Sequence, residues 1–226
     1  MGNFLNNIRL DVTNRAESDF ILTTRNSRRA TAEEILQTEF KLKDTIEIPI
    51  QGEQHTFVVE HIRPLGDGRR KVYFVSKNII GKSSMFPEHI IPILDDFEEN
   101  MPREIVDIME TIEHKRFGFE LTRKLNLLSS ANLQGADRHE GYDDILFGGL
   151  EAKIDRCKMF RGANDWWFLC DLRESSPNIN DHAYFNVTLG SGYISYYGMD
   201  NIFGVVPSFS IITFNADDQK VRENIA

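Results

Sequence analysis

Between Trp166 and Ile211 the chain runs as four short apolar stretches separated by turn-forming residues: Trp166-Trp167-Phe168-Leu169, Ala183-Tyr184-Phe185-Asn186-Val187, Gly192-Tyr193-Ile194-Ser195 and Gly204-Val205-Val206-Pro207-Ser208-Phe209-Ser210-Ile211. Stretches of this length, rich in aromatic and β-branched residues and recurring about every ten residues, read as strands of an antiparallel sheet. This pattern sets the class: the C-terminal part is β, and whatever precedes it must supply the faces that cover it.

The upstream chain reads as mixed. Thr31 followed by Glu34 is a capping-box pattern that starts a short helix over Ala32 to Gln37. Thr45-Ile46-Glu47-Ile48-Pro49-Ile50 alternates with period two, Gln51 to Gln54 is a turn signal, and His55 to Ile62 reads as the returning strand. After Gly66-Asp67-Gly68, Lys71 to Ser76 gives a third strand, so a meander is expected. From Pro87 to Ile112 the period becomes helical, broken at Asn100-Met101-Pro102, with Ile90, Ile91, Ile93, Leu94 and Phe97 on one apolar face and Ile105, Ile108, Met109 and Ile112 on the next. Leu125 to Ser129 reads as a short buried strand.

Charge narrows the function classes. The formal net charge is −9, and an acidic chain lacks the clustered Lys and Arg that hold a phosphate backbone, so no nucleic-acid partner is expected. Residues 1–30 carry five arginines against three acids, a net of +2, which leaves −11 for the rest. The stretch Asp95 to Glu113 has eight acids and one arginine, a net of −7, and reads as a solvated helix face. The arm of residues 1–30 has two readings. It is a flexible extension, or it docks on a neighbouring subunit through Phe4, Leu5, Ile8, Leu10 and Val12, which a solvated tail would not need. No apolar run approaches the roughly 20 residues of a membrane span, and the first residues lack a signal-peptide pattern, so no membrane insertion is expected.

An ordered set of motifs resembles the C-type-lectin-like domains of uncharacterised bacterial and phage proteins. The set is a double Trp opening a strand, an Asn/Ser-rich loop, a Gly-Tyr-Ile strand and Asn-x-x-Gly-Val-x-Pro-x-Phe, carried by Trp166, Trp167, Tyr184, Gly192, Tyr193, Ile194, Asn201, Gly204, Val205, Pro207 and Phe209. Upstream, Lys43-Asp44-Thr45-Ile46, Phe74 to Ile79, Met101-Pro102 and Leu127-Leu128-Ser129 follow in the same order, so the resemblance covers about residues 38 to 213. It implies an α+β, C-type-lectin-like fold: antiparallel strands, two or three helices and a long loop region, over residues 31–215, with the N-terminal arm before it and a polar tail, 216–226, after it. Adjacent Trp residues point to opposite faces, so one of Trp166 and Trp167 should enter the core. Gly204 is expected in a tight turn, and Pro207 at a strand edge or bulge.

The resemblance further implies that the segment between the Trp pair and the last strand faces a ligand. Its candidate residues are Asn178, Asn180, His182, Tyr184, Asn186, Tyr193, Ser195, Tyr196, Tyr197, Met199 and Asn201. Tyr gives rigid amphipathic contact area, and Ser and Asn give adaptable hydrogen bonds. The plain alternative is a long polar loop. Calcium-dependent sugar binding is not expected, because Ser176-Pro177-Asn178 lacks the acid before proline and Asn164-Asp165-Trp166 is out of order.

Enzyme readings are weaker. A formylglycine-generating enzyme shares this fold and uses a cysteine pair, but Cys170 lies in an apolar strand, where a thiol is inert, and Cys157 stands apart from it. The histidines His55, His61, His89, His114, His139 and His182 make no zinc spacing. Asp137, His139, Glu140, Asp143 and Asp144 are dense enough to consider for a metal, yet read more simply as a solvated acidic loop. The expectation is a binding or structural protein without catalytic residues, metal or cofactor. The leading form is a homo-oligomeric phage virion component, a capsid or tail decoration or a receptor-contacting subunit. It would meet other virion proteins through the arm and a host-surface glycan or protein through the loop. The alternatives are a formylglycine-generating-type enzyme, or a bacterial carbohydrate- or protein-binding domain that stays in the cytoplasm or is secreted.

Overall fold

The computed structural model describes residues 20–23, 27–114, 121–128, 133, 146, 156–172, 184–198 and 200–214. Outside them lie Phe4, Leu5, Ile8, Leu10 and Val12 of the arm, the acidic loop Asp137 to Asp144, the loop residues Asn178, Asn180 and His182, Met199, and the C-terminal tail. The described chain is mixed α+β, built mostly of antiparallel sheet with few helices.

In chain order its elements are β1 (Phe20–Thr23), β2 (Ser27–Ala30), α1 (Ala32–Leu36), β3 (Thr45–Ile50), β4 (Glu53–Pro64), a 3-10 turn (Gly66–Gly68), β5 (Arg69–Ser76), β6 (Gly81–Ser83), α2 (Pro87–Glu99) and α3 (Arg103–Ile108). Then come β7 (Ile112–His114), β8 (Leu121–Arg123), β9 (Asn126–Leu127), β10 (Lys158–Phe160), β11 (Ala163–Asp165), β12 (Trp167–Leu172), β13 (Tyr184–Thr188), β14 (Ile194–Gly198), β15 (Phe203–Val205) and β16 (Pro207–Phe214). They divide into two compact units, each assembled from separate stretches of chain, and residues 31–215 contribute to both.

The first unit holds residues up to Val75, Asn100–Glu110 and the chain from Phe209 onward. Within the arm, β1 and β2 pair antiparallel, with Phe20 opposite Ala30 and Thr23 opposite Ser27. The capping box at α1 is complete: Thr31 Oγ1 accepts from the Glu34 amide at 3.2 Å, and Glu34 Oε2 accepts from the Thr31 amide at 2.9 Å. In β3, Ile46, Ile48 and Ile50 are buried while Glu47 and Pro49 are half-exposed, the one-face burial that period two demands. The β3–β4 turn places Gln51 at φ 53 and Gly52 at φ 83, the left-handed pair that matches strand twist. Strands β3, β4, β5 and β16 lie side by side. Their core is aromatic: Phe74 stacks on Phe209 with centroids 5.0 Å apart, Phe57 meets Phe209 at 5.1 Å and Phe40 meets Phe74 at 5.2 Å.

Two expectations are corrected here. Ile112 does not continue the helical face, because α3 ends at Ile108 and Met109 turns extended, bridging Ile211. The Glu110 amide then donates to the Ser210 carbonyl at 2.9 Å, which draws the chain along β16. The acidic run is also not uniformly solvated. Glu110 takes an ion pair from Lys71 at 2.9 Å and a hydrogen bond from the Ser210 hydroxyl at 2.8 Å, because the chain after α3 carries it onto the sheet.

The second unit comprises Ser76–Glu99 and Thr111–Ser208. Its sheet has the order β14-β13-β12-β15-β6, antiparallel except for the β12–β15 contact, where Trp167 lies opposite Gly204. Trp167, Phe168, Leu169 and Cys170 are all buried, so β12 is covered on both faces. Helix α2 buries Ile90, Leu94 and Phe97. Two more acids of the run are engaged in this unit, since Arg123 pairs with Asp95 at 2.5 Å and Glu98 accepts from the Leu125 amide at 3.0 Å. Strand β9 is the expected buried strand, with Leu125, Asn126, Leu127 and Leu128 all buried.

Gly204 is not in a turn. It lies inside β15, and its amide donates to the Trp166 carbonyl at 2.7 Å. Glycine is required by close approach, because a Cβ there would meet three carbons of the Ile79 side chain at 2.5, 2.7 and 2.9 Å. Gly204→Ala is therefore expected to cost about 1–3 kcal/mol, the usual range for overfilling a packed site. Chemical denaturation checks it, and the double variant with Ile79→Ala should recover part of the loss. Pro207 is the first residue of β16, two residues past the end of β15, a position where its missing N–H is tolerated.

Candidate recognition surface

The surface is built on the hairpin of β13 and β14. These strands pair from Tyr184 opposite Gly198 to Thr188 opposite Ile194. The connection is tight: the Leu189 amide donates to the Tyr193 carbonyl at 2.7 Å, the Gly192 amide donates to the Leu189 carbonyl at 2.8 Å, and Gly192 sits at φ 79. Only glycine takes that conformation freely, so the turn is fixed by its sequence. At its exit Tyr193 is 54% exposed, and Tyr196, three residues on, is 44% exposed.

The other face of β14 is an aromatic platform. Tyr197 meets Trp166 with centroids 5.0 Å apart and Phe203 at 5.3 Å, Trp166 meets Phe203 at 5.4 Å, and Phe203 meets the buried Phe168 at 5.2 Å. Rings at these separations attract beyond their simple burial. The platform grades from buried Phe168 to half-buried Trp166 and Tyr197. Trp167 goes the opposite way, fully buried, with its indole N–H donating to the Arg156 carbonyl at 3.0 Å. The two tryptophans thus divide as strand geometry requires.

Of the candidate residues, Tyr193, just before β14, and Tyr196, on it, are exposed, while Ser195 and Tyr197 of β14 are half-buried. Asn201 is exposed, but its amide donates to the Gly198 carbonyl at 3.1 Å and to Asp200 Oδ1 at 3.2 Å, closing the turn after β14. Tyr184 and Asn186 occupy β13 opposite Gly198 and Tyr196. Asn178, Asn180, His182 and Met199 lie outside the described residues.

Sequence reasoning missed the supports. Arg156 is 2% exposed and donates through Nε to the Gly192 carbonyl at 2.8 Å. Burial lowers its pKa, opposed by the neighbouring Cys157. A β10–β11 hairpin, turning through Arg161 at φ 50 and Gly162 at φ 86, brings Asp165 within 2.5 Å of Lys82. Burial pushes the Asp165 carboxyl up, but hydrogen bonds from Lys82 and the Trp166 amide, together with the Lys82 charge, outweigh it and hold the pKa below the usual value. Since Asp165 Oδ1 accepts from the Trp166 amide at 2.8 Å, this ion pair also fixes where the platform begins. The signal for the hairpin was present in Arg161-Gly162, a two-residue turn between short stretches.

The reactive-group candidates sit differently. Cys170 is 2% exposed inside β12, and Cys157 is half-buried; both are free. Ser84 Oγ lies 2.7 Å from His89 Nδ1; Ser84, just past the end of β6, is buried, while His89 in α2 is exposed. Among the described residues no group of three or more His, Cys, Asp or Glu side chains could hold a metal ion, and no described helix is long and apolar enough to cross a membrane. Compared with known proteins, the chain matches no family model, no curated protein and no solved structure.

Proposed function

We propose that this chain is a C-type-lectin-like recognition protein of a phage virion, a capsid or tail decoration or a receptor-contacting subunit. Its β13–β14 hairpin meets a host-surface glycan or protein, and its N-terminal residues dock it among other virion proteins. The observation that carries the reading is a pair of exposed tyrosines, Tyr196 on β14, whose neighbour Tyr197 joins the Trp166 and Phe203 platform, and Tyr193 in the turn just before that strand. A rigid aromatic surface loses little conformational entropy on binding, which suits recognition. The depth of Cys170 supports binding over cysteine chemistry, since a nucleophilic thiol must be reached and ionised.

Retention of the purified chain on a panel of fixed bacterial cells tests this function. The wild type should be retained by at least one strain, and Tyr193→Ser with Tyr196→Ser should weaken that binding roughly tenfold or more, as loss of anchoring tyrosines does. Stability should change by no more than about 0.5 kcal/mol, because both side chains are exposed. Equal retention of the double variant would move the ligand surface elsewhere.

A further inference from the structure

We infer that Arg156 is the positioning residue of the recognition hairpin: its buried guanidinium holds the Leu189–Tyr193 turn, and with it Tyr193, at a fixed place against Trp167. This rests on the recognition reading for its purpose, though not for its geometry.

The geometry is a chain of contacts. The Trp167 indole N–H donates to the Arg156 carbonyl at 3.0 Å, and Arg156 Nε donates to the Gly192 carbonyl at 2.8 Å. Trp167 is fully buried and Arg156 is 2% exposed, so both contacts lie away from water. Arginine is among the residues least often buried, because its charge must be desolvated. Ordinary packing at this position would be met by an apolar residue. A buried guanidinium instead supplies a directed, charge-assisted donor to one backbone oxygen. That oxygen belongs to Gly192, at φ 79, whose amide closes the turn on Leu189. The next residue is Tyr193, 54% exposed. The contact therefore acts on the recognition surface through the turn, without touching a ligand.

Arg156→Lys separates the directed bond from the charge. Lysine keeps the positive charge but has a methylene where arginine has Nε, so the bond to the Gly192 carbonyl is lost. Amide hydrogen exchange at Leu189 and Gly192 should then accelerate by roughly tenfold or more, the factor that a lost hydrogen bond from a charged group implies. The Ile90 amide, bonded to Phe86 in the first turn of α2, serves as the internal reference and should stay unchanged. Unchanged exchange at Gly192, or equal acceleration at Ile90, overturns the assignment. Should Arg156→Lys not fold, Trp167→Phe removes the indole donor while keeping an aromatic ring, and the same amides should accelerate relative to Ile90; if they do not, the assignment falls.

Retention on fixed bacterial cells separates the two levels. Where wild type is retained, Arg156→Lys should dissociate faster at equal folded fraction. Leu94→Ala, which weakens buried α2 packing instead, should dissociate as wild type. Accelerated exchange at Gly192 with no retention of wild type on any strain would overturn the recognition reading and leave Arg156 as the residue that positions the turn. Accelerated exchange with unaltered dissociation would overturn its link to binding.

Discussion

Trp167→Ala is expected to destabilise the second unit by about 3–5 kcal/mol, the range for removing a large aromatic side chain from a packed core. The residue is fully buried in a strand whose described neighbours Phe168 and Leu169 are also at 0% exposure, so its removal leaves a cavity inside packed core. A further loss comes from the Arg156 carbonyl, which accepts the indole N–H and would be left without that donor. A typical hydrogen bond contributes about 0.5–1.5 kcal/mol net. Folded domains hold only about 5–15 kcal/mol in total, so the variant should be largely unfolded at modest urea. Trp167→Phe, which keeps much of the ring volume, should lose considerably less. Urea denaturation followed by circular dichroism measures both, and a loss below about 1 kcal/mol for the alanine variant would contradict the placement of this side chain.

Phe209→Ala is the counterpart in the first unit, with an expected loss of about 3–5 kcal/mol. Phe209 touches two rings at once, stacked on Phe74 at 5.0 Å and edge-on to Phe57 at 5.1 Å. Its removal takes away both contacts, each worth about 0.5–1.5 kcal/mol beyond burial, together with the buried area of the ring. Phe209→Leu should retain part of the stability by filling much of the volume. The same denaturation experiment reads the result, and near-wild-type stability of the alanine variant would show that the trio is not the centre of that core.

Local rules explain which elements were visible in advance. Thr31 and Glu34, three residues apart, define α1 through hydrogen bonds that close within one turn. The β3–β4 hairpin follows from alternation plus Gln51-Gly52, and the break between α2 and α3 follows from Pro102. Each signal acts across a few residues. The parts that stayed hidden depend on neighbours distant in sequence. Gly204 looked like a turn residue because glycine so often is one, whereas its reason is the Ile79 side chain from another strand region. Asp95, Glu98 and Glu110 read as solvated because nothing local reveals Arg123, Lys71 or the Leu125 amide.

The candidate surface was legible to a similar degree. The resemblance pointed to the segment that holds the tyrosines, and the split of Trp166 from Trp167 followed from strand alternation. Arg156 was invisible because arginine is ordinarily a surface residue. Its role emerges only when the turn at Gly192 is seen above it.

The central claim is that this chain works by binding, as part of a phage particle held through its N-terminal residues. Sedimentation of particles assembled with full-length chain, or with chain lacking residues 1–19, tests it most directly, because the deletion leaves the paired strands β1 and β2, which begin at Phe20, intact. The account expects the full-length chain to co-sediment with the particles and the shortened chain to stay in the supernatant while remaining folded. Full-length chain that stays in the supernatant, or shortened chain that sediments equally well, would contradict it.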